Sequence, residues 1–397
     1  MKRREFAGKL LVGAAATAAG ATALGGCGEG PGARRRGEDR AVGGRVVWRL
    51  ASSFPRSLDI LFGASERFAD RVAELTGGAF TIDVYQGGEI VPALEVLDAV
   101  GRGSVEIGQS ASYYYIGRNP ALAFDCTVPF GLTAREQNGW LYEGGGLALM
   151  REIFADFNVV NFPGGNTGVQ MGGWFRRPIA DLDDLAGRKM RIPGLGGRVM
   201  ERLGVTAQVI PGGEVFTALE RGSIDAAEWV GPHDDLKLGL DRAAANYYYP
   251  GWWEPGAMIS FYVNRDAYEK LDGSYRAAIE TAAAESNVRM LAAYDRMNAT
   301  AFERILSSEI AVAPFPADIM SAARRAADEI LREGASDDAT YRRVYDSFRS
   351  YREASTSWFA TAEMSFLRSR EQADPKATGV VEELADTGGS DRAVSDR

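Results

Sequence analysis

One histidine and two cysteines are all that the 397 residues contain, and that scarcity removes whole classes of chemistry. No Cys/His zinc site, iron–sulfur cluster or disulfide framework can be assembled from them. A serine hydrolase would have to recruit His233, and there is no Gly-x-Ser-x-Gly elbow to pair with it. The nearest approach, Gly108-Gln109-Ser110-Ala111-Ser112, lacks the final glycine. No basic block follows residue 40 and the formal net charge is −9, which argues against a nucleic-acid partner. Long apolar runs are scarce too. Leu10–Gly26 is mostly Ala and Gly, too short and too small-sided to span a membrane.

What is present is a globular composition. With 46% hydrophobic and 10% aromatic residues, the chain is too apolar for disorder. At roughly 100–200 residues per domain, its length points to two domains, each with its own core. Glycine, at 47 residues, exceeds the typical share of about 7% and points to tight turns or close backbone contacts.

The first 27 residues have the layout of an export signal. Lys2-Arg3-Arg4-Glu5-Phe6 is a charged head before the weakly apolar run. The Arg-Arg-x-Phe pair resembles a twin-arginine signal, with Ala7 in place of the usual large apolar residue. Leu24-Gly25-Gly26-Cys27 resembles a lipobox, where small residues before a cysteine permit lipidation and cleavage; an ordinary secretory signal with an incidental cysteine is the alternative. Cleavage removes Lys2, Arg3, Arg4, Lys9 and Glu5 and takes the net charge from −9 to −12. Residues 28–44 are Gly- and charge-rich and read as a flexible tether. The mature chain is then extracytoplasmic, held at the membrane by a lipid anchor. Cys126 reads as a buried small hydrophobe.

From Val46 the signals alternate. Val46–Ala51 reads as a buried strand. A helix follows with Leu61, Ala64, Phe68, Val72 and Leu75 on one face, stopped by Gly77-Gly78. Phe80, Ile82 and Val84 alternate as a strand, residues 92–101 read as a helix, and 105–107 as a short strand. Strands alternating with helices imply an α/β fold with a mostly parallel sheet. Beyond residue 265 the pattern is helical: 266–306, 317–334 and 341–371. The last bears Tyr345, Phe348, Tyr351, Trp358, Phe359 and Phe366, an aromatic stripe suited to core or interface packing. Residues 372–397 are polar and read as a disordered tail.

An internal echo organises the middle. Residues 95–106, EVLDAVGRGSVE, align at an offset of 119 with 214–225, EVFTALERGSID, and six of the twelve positions are identical. Each copy reads as a helix ended by Arg-Gly-Ser and followed by a strand carrying an acidic residue. Two lobes of like design, each placing strand ends at a shared cleft, account for it. Ligands in open α/β sheets bind outside the carboxyl ends of strands.

Candidate chemistry lies between and after the two copies. Arg191 sits in the short strand Lys-Met-Arg-Ile-Pro, with Met190 and Ile192 on the opposite face. It can present a fork to a carboxylate or form a surface ion pair. Glu228 ends a strand of small residues, either solvated there or held for a cation. Glu254, between Trp253 and Pro255, poses the same choice. His233, in Pro-His-Asp-Asp, reads as a loop residue.

Four segments carry a family resemblance: VQMGGWF from Val169, GRKMRIP from Gly187, RGSIDAAEW from Arg221 and YPGWWE from Tyr249. Together they resemble the extracytoplasmic solute receptors of tripartite ATP-independent periplasmic (TRAP) transporters, in particular the branch that binds 2-oxo acids and lactate. The resemblance runs from about Val46 to Glu371 and implies a binding protein, not an enzyme. It implies a two-lobed periplasmic-binding-protein-like clamp with hinge strands and long C-terminal helices. Lobe I comprises residues 45–165 with 258–300, and lobe II 166–257 with 301–371. It implies that Arg191 pairs with the ligand carboxylate, and that a sodium or calcium ion bridges ligand and protein. Gln170, Glu228, Glu254 and the main chain of Trp229 would hold the ion. Asn166 and one tyrosine of the run Tyr113-Tyr114-Tyr115, with Tyr114 in first place, lie near the ligand, and Trp229, Trp252 and Trp253 wall it. Hard oxygen donors suit a hard cation, which also relieves the repulsion between two carboxylates and an anionic ligand. The implied partners are a small organic acid, the membrane permease and, through C-terminal helix exchange, a second copy of the chain. Three other readings stay open: a dicarboxylate or other organic acid bound without metal, an exported metal-dependent lyase or decarboxylase with Glu228 as base, and a signalling or sensory lipoprotein with the receptor fold.

Overall fold

Inward Trp48 and Leu50 alternate with outward Val47 and Arg49 along the first strand, and that alternation turns one face of a sheet onto the helix Leu61–Leu75. The computed structural model describes residues 44–373. The expected signal, Cys27 and the tether up to residue 43 lie outside the described residues, as does the tail from 374. Among the described residues the strands are β1 (Val46–Ser52), β2 (Phe80–Tyr85), β3 (Ile107–Ser110), β4 (Val159–Asn166), β5 (Trp174–Phe175), β6 (Lys189–Arg191), β7 (Thr206–Gln208), β8 (Ala226–Ala227), β9 (Asn246–Tyr249), β10 (Met258–Asn264) and β11 (Ala311–Pro314). None of the described helices is long and apolar enough to cross a membrane.

Two sheets result, in the orders β2-β1-β3-β10-β4 and β11-β9-β5-β8-β6-β7. The expectation of mostly parallel sheets needs correction, because both are mixed. β10 runs antiparallel to β3 and β4, and β5 antiparallel to β8 and β9. The chain leaves the first sheet after β4, enters the second at β5 and returns after β9 to form β10. A strand arriving from the other lobe enters from the opposite end, so it runs against its neighbours.

The sequence echo is also a structural one. The helices Val96–Gly101 and Gly212–Glu220 both end on a left-handed glycine, Gly103 at φ 71° and Gly222 at φ 72°. A left-handed backbone there favours a residue without a Cβ. In each turn the serine N–H reaches back to an alanine carbonyl, Ser104 to Ala99 and Ser223 to Ala218. In each, the acidic residue then accepts the N–H of a neighbouring strand: Glu106 from Arg49 and Asp225 from Lys189, both at 2.9 Å. The order β2-β1-β3-β10-β4 recurs as β7-β6-β8-β5-β9, with the same strand directions. The two lobes share one frame.

Boundaries differ from expectation in small ways. The helix expected over 92–101 starts at Val96, and the strand expected over 105–107 runs Ile107–Ser110, because Glu106 is spent on the turn. Leu75, expected on the buried face, is 42% exposed beside the Gly77-Gly78 stop. The long C-terminal helices are Gly273–Leu306, Ala317–Asp337, Ala339–Phe359 and, after a π turn, Ser365–Ala373. The first packs against β4 and Leu61–Leu75 near its start and against the short helix Pro232–Leu238 further on, touching both lobes. The aromatic stripe divides. Phe348 is buried against Phe124 and Trp140, whereas Trp358 and Phe366 are exposed. Cys126 is a buried free thiol.

Candidate functional site

β6 and β8 run parallel with Arg191 opposite Ala227, so Arg191 and Glu228 emerge side by side at the carboxyl ends of adjacent strands. The Glu228 N–H donates to the Arg191 carbonyl at 3.2 Å, locking the pair in register. Neither side chain is solvated. Arg191 is 1% exposed and Glu228 fully buried, so a surface ion pair and a solvated strand tip are both excluded. One Arg191 Nη1 hydrogen bond goes to the Glu228 Oε1 and another, 3.0 Å, to the Glu228 carbonyl. Arg191 Nη2 donates to the Tyr114 hydroxyl at 3.3 Å, and the guanidinium lies 4.6 Å from the Trp229 ring centre.

Gln170 and Glu254 come from the two segments that cross between the sheets, and those segments are tied together. Gln170 N–H donates to the Glu254 carbonyl at 3.2 Å, Gly251 N–H to the Gln170 carbonyl at 2.8 Å, and Thr167 N–H to the Ala257 carbonyl at 3.1 Å. Close approach requires glycine here. A Cβ on Gly251 would lie 2.7 Å from the Gln170 carbonyl oxygen, and one on Gly173 (φ 80°) 2.7 Å from that of Ala227. The Gln170 Nε2 donates to Glu254 Oε2 at 2.7 Å, and the Tyr113 hydroxyl donates to the same oxygen at 3.4 Å.

Several of these side chains meet at a tight space lined by both lobes; Glu228 and Glu254 pack beside it, through Arg191 and Gln170, without lining it. Tyr114, Gln170, Arg191 and Trp229 line it, together with Tyr113. Its apolar wall is Phe54, Leu61, Val230, Ala257 and Ile259. Of the tyrosine run, Tyr115 turns away and donates to Ser110. Asn166 and Trp252 do not reach the cavity. Asn166 donates to the Gly256 carbonyl and accepts from Gly168 N–H, bracing the crossing segments. Trp252 stacks on Phe130 at 5.2 Å and meets Trp253 edge-on. The apolar wall escaped sequence reasoning, although Phe54, just past the end of β1, carries the positional signal of a strand-end residue. His233 also departs from expectation. It lies inside the helix Pro232–Leu238, not a loop, with its Nε2 2.9 Å from Asp59.

Electrostatics at the site are unbalanced. Burial pushes the Glu228 carboxyl up to about 7 despite the pull of Arg191, with Asp235 adding to the rise. Burial, then the nearby Glu228 charge, pushes Glu254 well above the ordinary carboxylate range. Burial opposes the charge on Arg191, but Glu228 together with Tyr114, Tyr113 and Glu254 offsets it and the guanidinium stays protonated. One cation thus faces two carboxylates. Two buried oxygens, Gln170 Oε1 and Glu228 Oε2, have no hydrogen-bond partner, an arrangement that is costly unless something fills it.

Residues 51–338 match the DctP family, bacterial extracellular solute-binding proteins of family 7. The chain belongs to the DctP family. It is 49% identical over 366 residues to the monocarboxylate 2-oxoacid-binding periplasmic protein of Nostoc sp., an alignment spanning 92% of this chain and 98% of the relative. A TRAP transporter solute-binding protein from Bordetella bronchiseptica is 42% identical, with a TM-score of 0.82 over 83% of this chain and 98% of that one. Its crystal is a mixed-occupancy dimer, with copurified calcium and picolinate in one site and the other apo. A TRAP periplasmic solute-binding protein from Pseudoalteromonas atlantica, with bound sodium and pyruvate, is 39% identical, with a TM-score of 0.80 over 82% of this chain and 99% of that one. In this DctP-family chain the donors fit such an ion. Gln170 Oε1 and the two glutamates are hard oxygens, two of the oxygens at the site are unpartnered, and a cation would let the glutamates, which burial holds towards their protonated forms, ionise as ligands.

Proposed function

We propose that the chain is the extracytoplasmic receptor of a TRAP transporter. It captures a small monocarboxylate, a 2-oxo acid such as pyruvate, or lactate, and delivers it to a membrane permease without making or breaking a bond. The observation that carries this reading is the buried Arg191 lining a space between the lobes, with Gln170 beside it and Glu228 bonded behind it, each leaving an oxygen unpartnered. A guanidinium fork matches a carboxylate. Gln170, Glu228, Glu254 and the main chain of Trp229 would hold a sodium or calcium ion, which supplies positive charge between the glutamates and the acid. The apolar wall of Phe54, Leu61 and Ile259 leaves little beyond Arg191 to recognise a second distant carboxylate, which favours a short acid.

Export and assembly complete the proposal. Arg3-Arg4 and Leu24–Cys27 support twin-arginine export and a lipid anchor at Cys27, checked by the mass of the mature N-terminus in wild type and Cys27→Ser. The exposed Trp358 and Phe366 on the last helices support a homodimer formed by C-terminal helix exchange. Light scattering on the chain with and without residues 365–397 checks that. Ligand binding is tested by melting the protein with a panel of short acids while sodium and calcium are supplied. Pyruvate at ~100-fold over its Kd should add about 2.7 kcal/mol of stability. No shift with any 2-oxo acid would remove the monocarboxylate reading.

A further inference from the structure

Asp59, His233 and Asp234 offer ligand atoms that all lie within 4.8 Å of one another, and none of the three lines the Arg191 cavity. We infer that these three residues form a second cation site, for a transition-metal ion of the zinc class, at the seam between the lobes. Asp59 follows β1 of the first sheet, whereas His233 and Asp234 follow β8 of the second.

The decisive feature is Asp234. Its side chain is fully buried, and one carboxylate oxygen, Oδ2, accepts from the Tyr294 hydroxyl at 2.7 Å. The other, Oδ1, has no partner. A carboxylate oxygen buried without a partner is expensive, and an imidazole lies beside it. His233 is held from behind, its backbone N–H donating to the Asn298 side-chain oxygen at 3.0 Å, while its ring reaches Asp59. Asp59, with a 54% exposed side chain, provides the way in from solvent. Lys237 Nζ already neutralises the other Asp59 oxygen at 3.2 Å, leaving the oxygen nearer His233 for the ion.

One imidazole and two carboxylates suit zinc or cobalt(II), whereas the all-oxygen set at Gln170, Glu228 and Glu254 suits a harder ion. His233 Nε2 and Asp59 Oδ1 are 2.9 Å apart. Tetrahedral ligands at the usual bond lengths of ~2.0–2.1 Å sit about 3.3 Å from each other. That pair has to open by only a few tenths of an ångström, while the set as a whole, its ligand atoms within 4.8 Å of one another, has to draw together around the ion. The Tyr294 hydroxyl on Asp234 acts as the outer partner that orients a ligand. An ion here joins the lobes, so it holds the closed form; that consequence, unlike the site, rests on the receptor reading above.

The test is calorimetric titration of zinc chloride alone into ion-free protein. One zinc site is expected, weakened about tenfold or more in His233→Gln and in Asp234→Asn, and unchanged in Glu228→Gln. Zinc binding that ignores His233→Gln, or that disappears in Glu228→Gln, overturns the site. Circular dichroism of each variant separates loss of a ligand from loss of the fold, and a ligand-field band from cobalt(II), lost in His233→Gln, supports the imidazole as ligand. Release of pyruvate should slow when zinc is present; an unchanged rate overturns the bridging role. Failure of pyruvate to bind at all would count against the proposed function and leave the zinc titration to stand on its own.

Discussion

Arg191 donates to both the side chain and the main-chain carbonyl of Glu228, and both residues are shut away from water. Breaking one half of such a pair strands the other. Arg191→Ala should therefore lower the stability of the ligand-free protein by about 3–5 kcal/mol, as well as abolishing binding. Arg191→Met combined with Glu228→Gln should recover most of that stability and none of the affinity. Arg191→Lys keeps the charge but loses the fork, and should weaken pyruvate binding by about 30-fold or more. Urea denaturation and ligand titration on the same four proteins give both numbers. Full affinity in Arg191→Lys would take Arg191 out of the site.

Pyruvate affinity should fall sharply after chelation in sodium-free buffer and return when sodium or calcium is restored. Glu254→Gln should weaken the ion dependence, since it removes one of two competing carboxylates. Equal affinity with and without both ions contradicts the bridging ion.

Acidity should stabilise the ion-free protein, opposite to the behaviour of a protein held by exposed salt bridges. Burial raises the carboxyls of Glu228 to about 7, Asp234 to about 7 and Asp235 to about 6. The folded chain then keeps protons that the unfolded chain releases above about pH 4, so stability falls as pH rises from there towards 7. The melting temperature should be higher near about pH 5 than near about pH 7.5. The drop should be smaller in Glu228→Gln. A melting temperature that climbs over this range contradicts the direction.

Gly173→Ala places a Cβ 2.7 Å from the Ala227 carbonyl at a left-handed backbone position. A loss of about 1–3 kcal/mol is expected, with weaker pyruvate binding because the displaced backbone leads directly into Glu228. Stability within error of wild type would show that the crossing segment yields more easily than its geometry indicates.

Much of this was legible in the sequence, and the limits have physical causes. The Arg-Gly-Ser echo announced two lobes of one design because turn chemistry is local: a glycine at positive φ and a serine N–H reaching back need only six residues. Arg191, Gln170 and Glu228 could be named from short motifs. That Arg191 is buried could not, because its cover includes Tyr114, from a lobe some 77 positions away along the chain. Phe54, Leu61 and Ile259 were hidden for the same reason. β5 and β8, two residues each, are too short to carry a periodicity, so the mixed strand directions were invisible. The seam cluster was missed because Asp59 and His233 meet only after both lobes have folded.

The shared frame gives the molecule an internal control. Gly103 and Gly222 occupy the same turn at nearly the same φ, so the same substitution imposes the same backbone strain twice. In the second lobe the turn leads through β8 to Glu228; in the first, the offset of 119 places Gln109 at that point, bonded to Ser52 and Ser65. Subtracting the effect of Gly103→Ala from that of Gly222→Ala cancels the backbone strain of the turn and leaves what is local to each lobe: an added Cβ runs into the Arg176 guanidinium at Gly222 and into nothing closer than ordinary contact at Gly103.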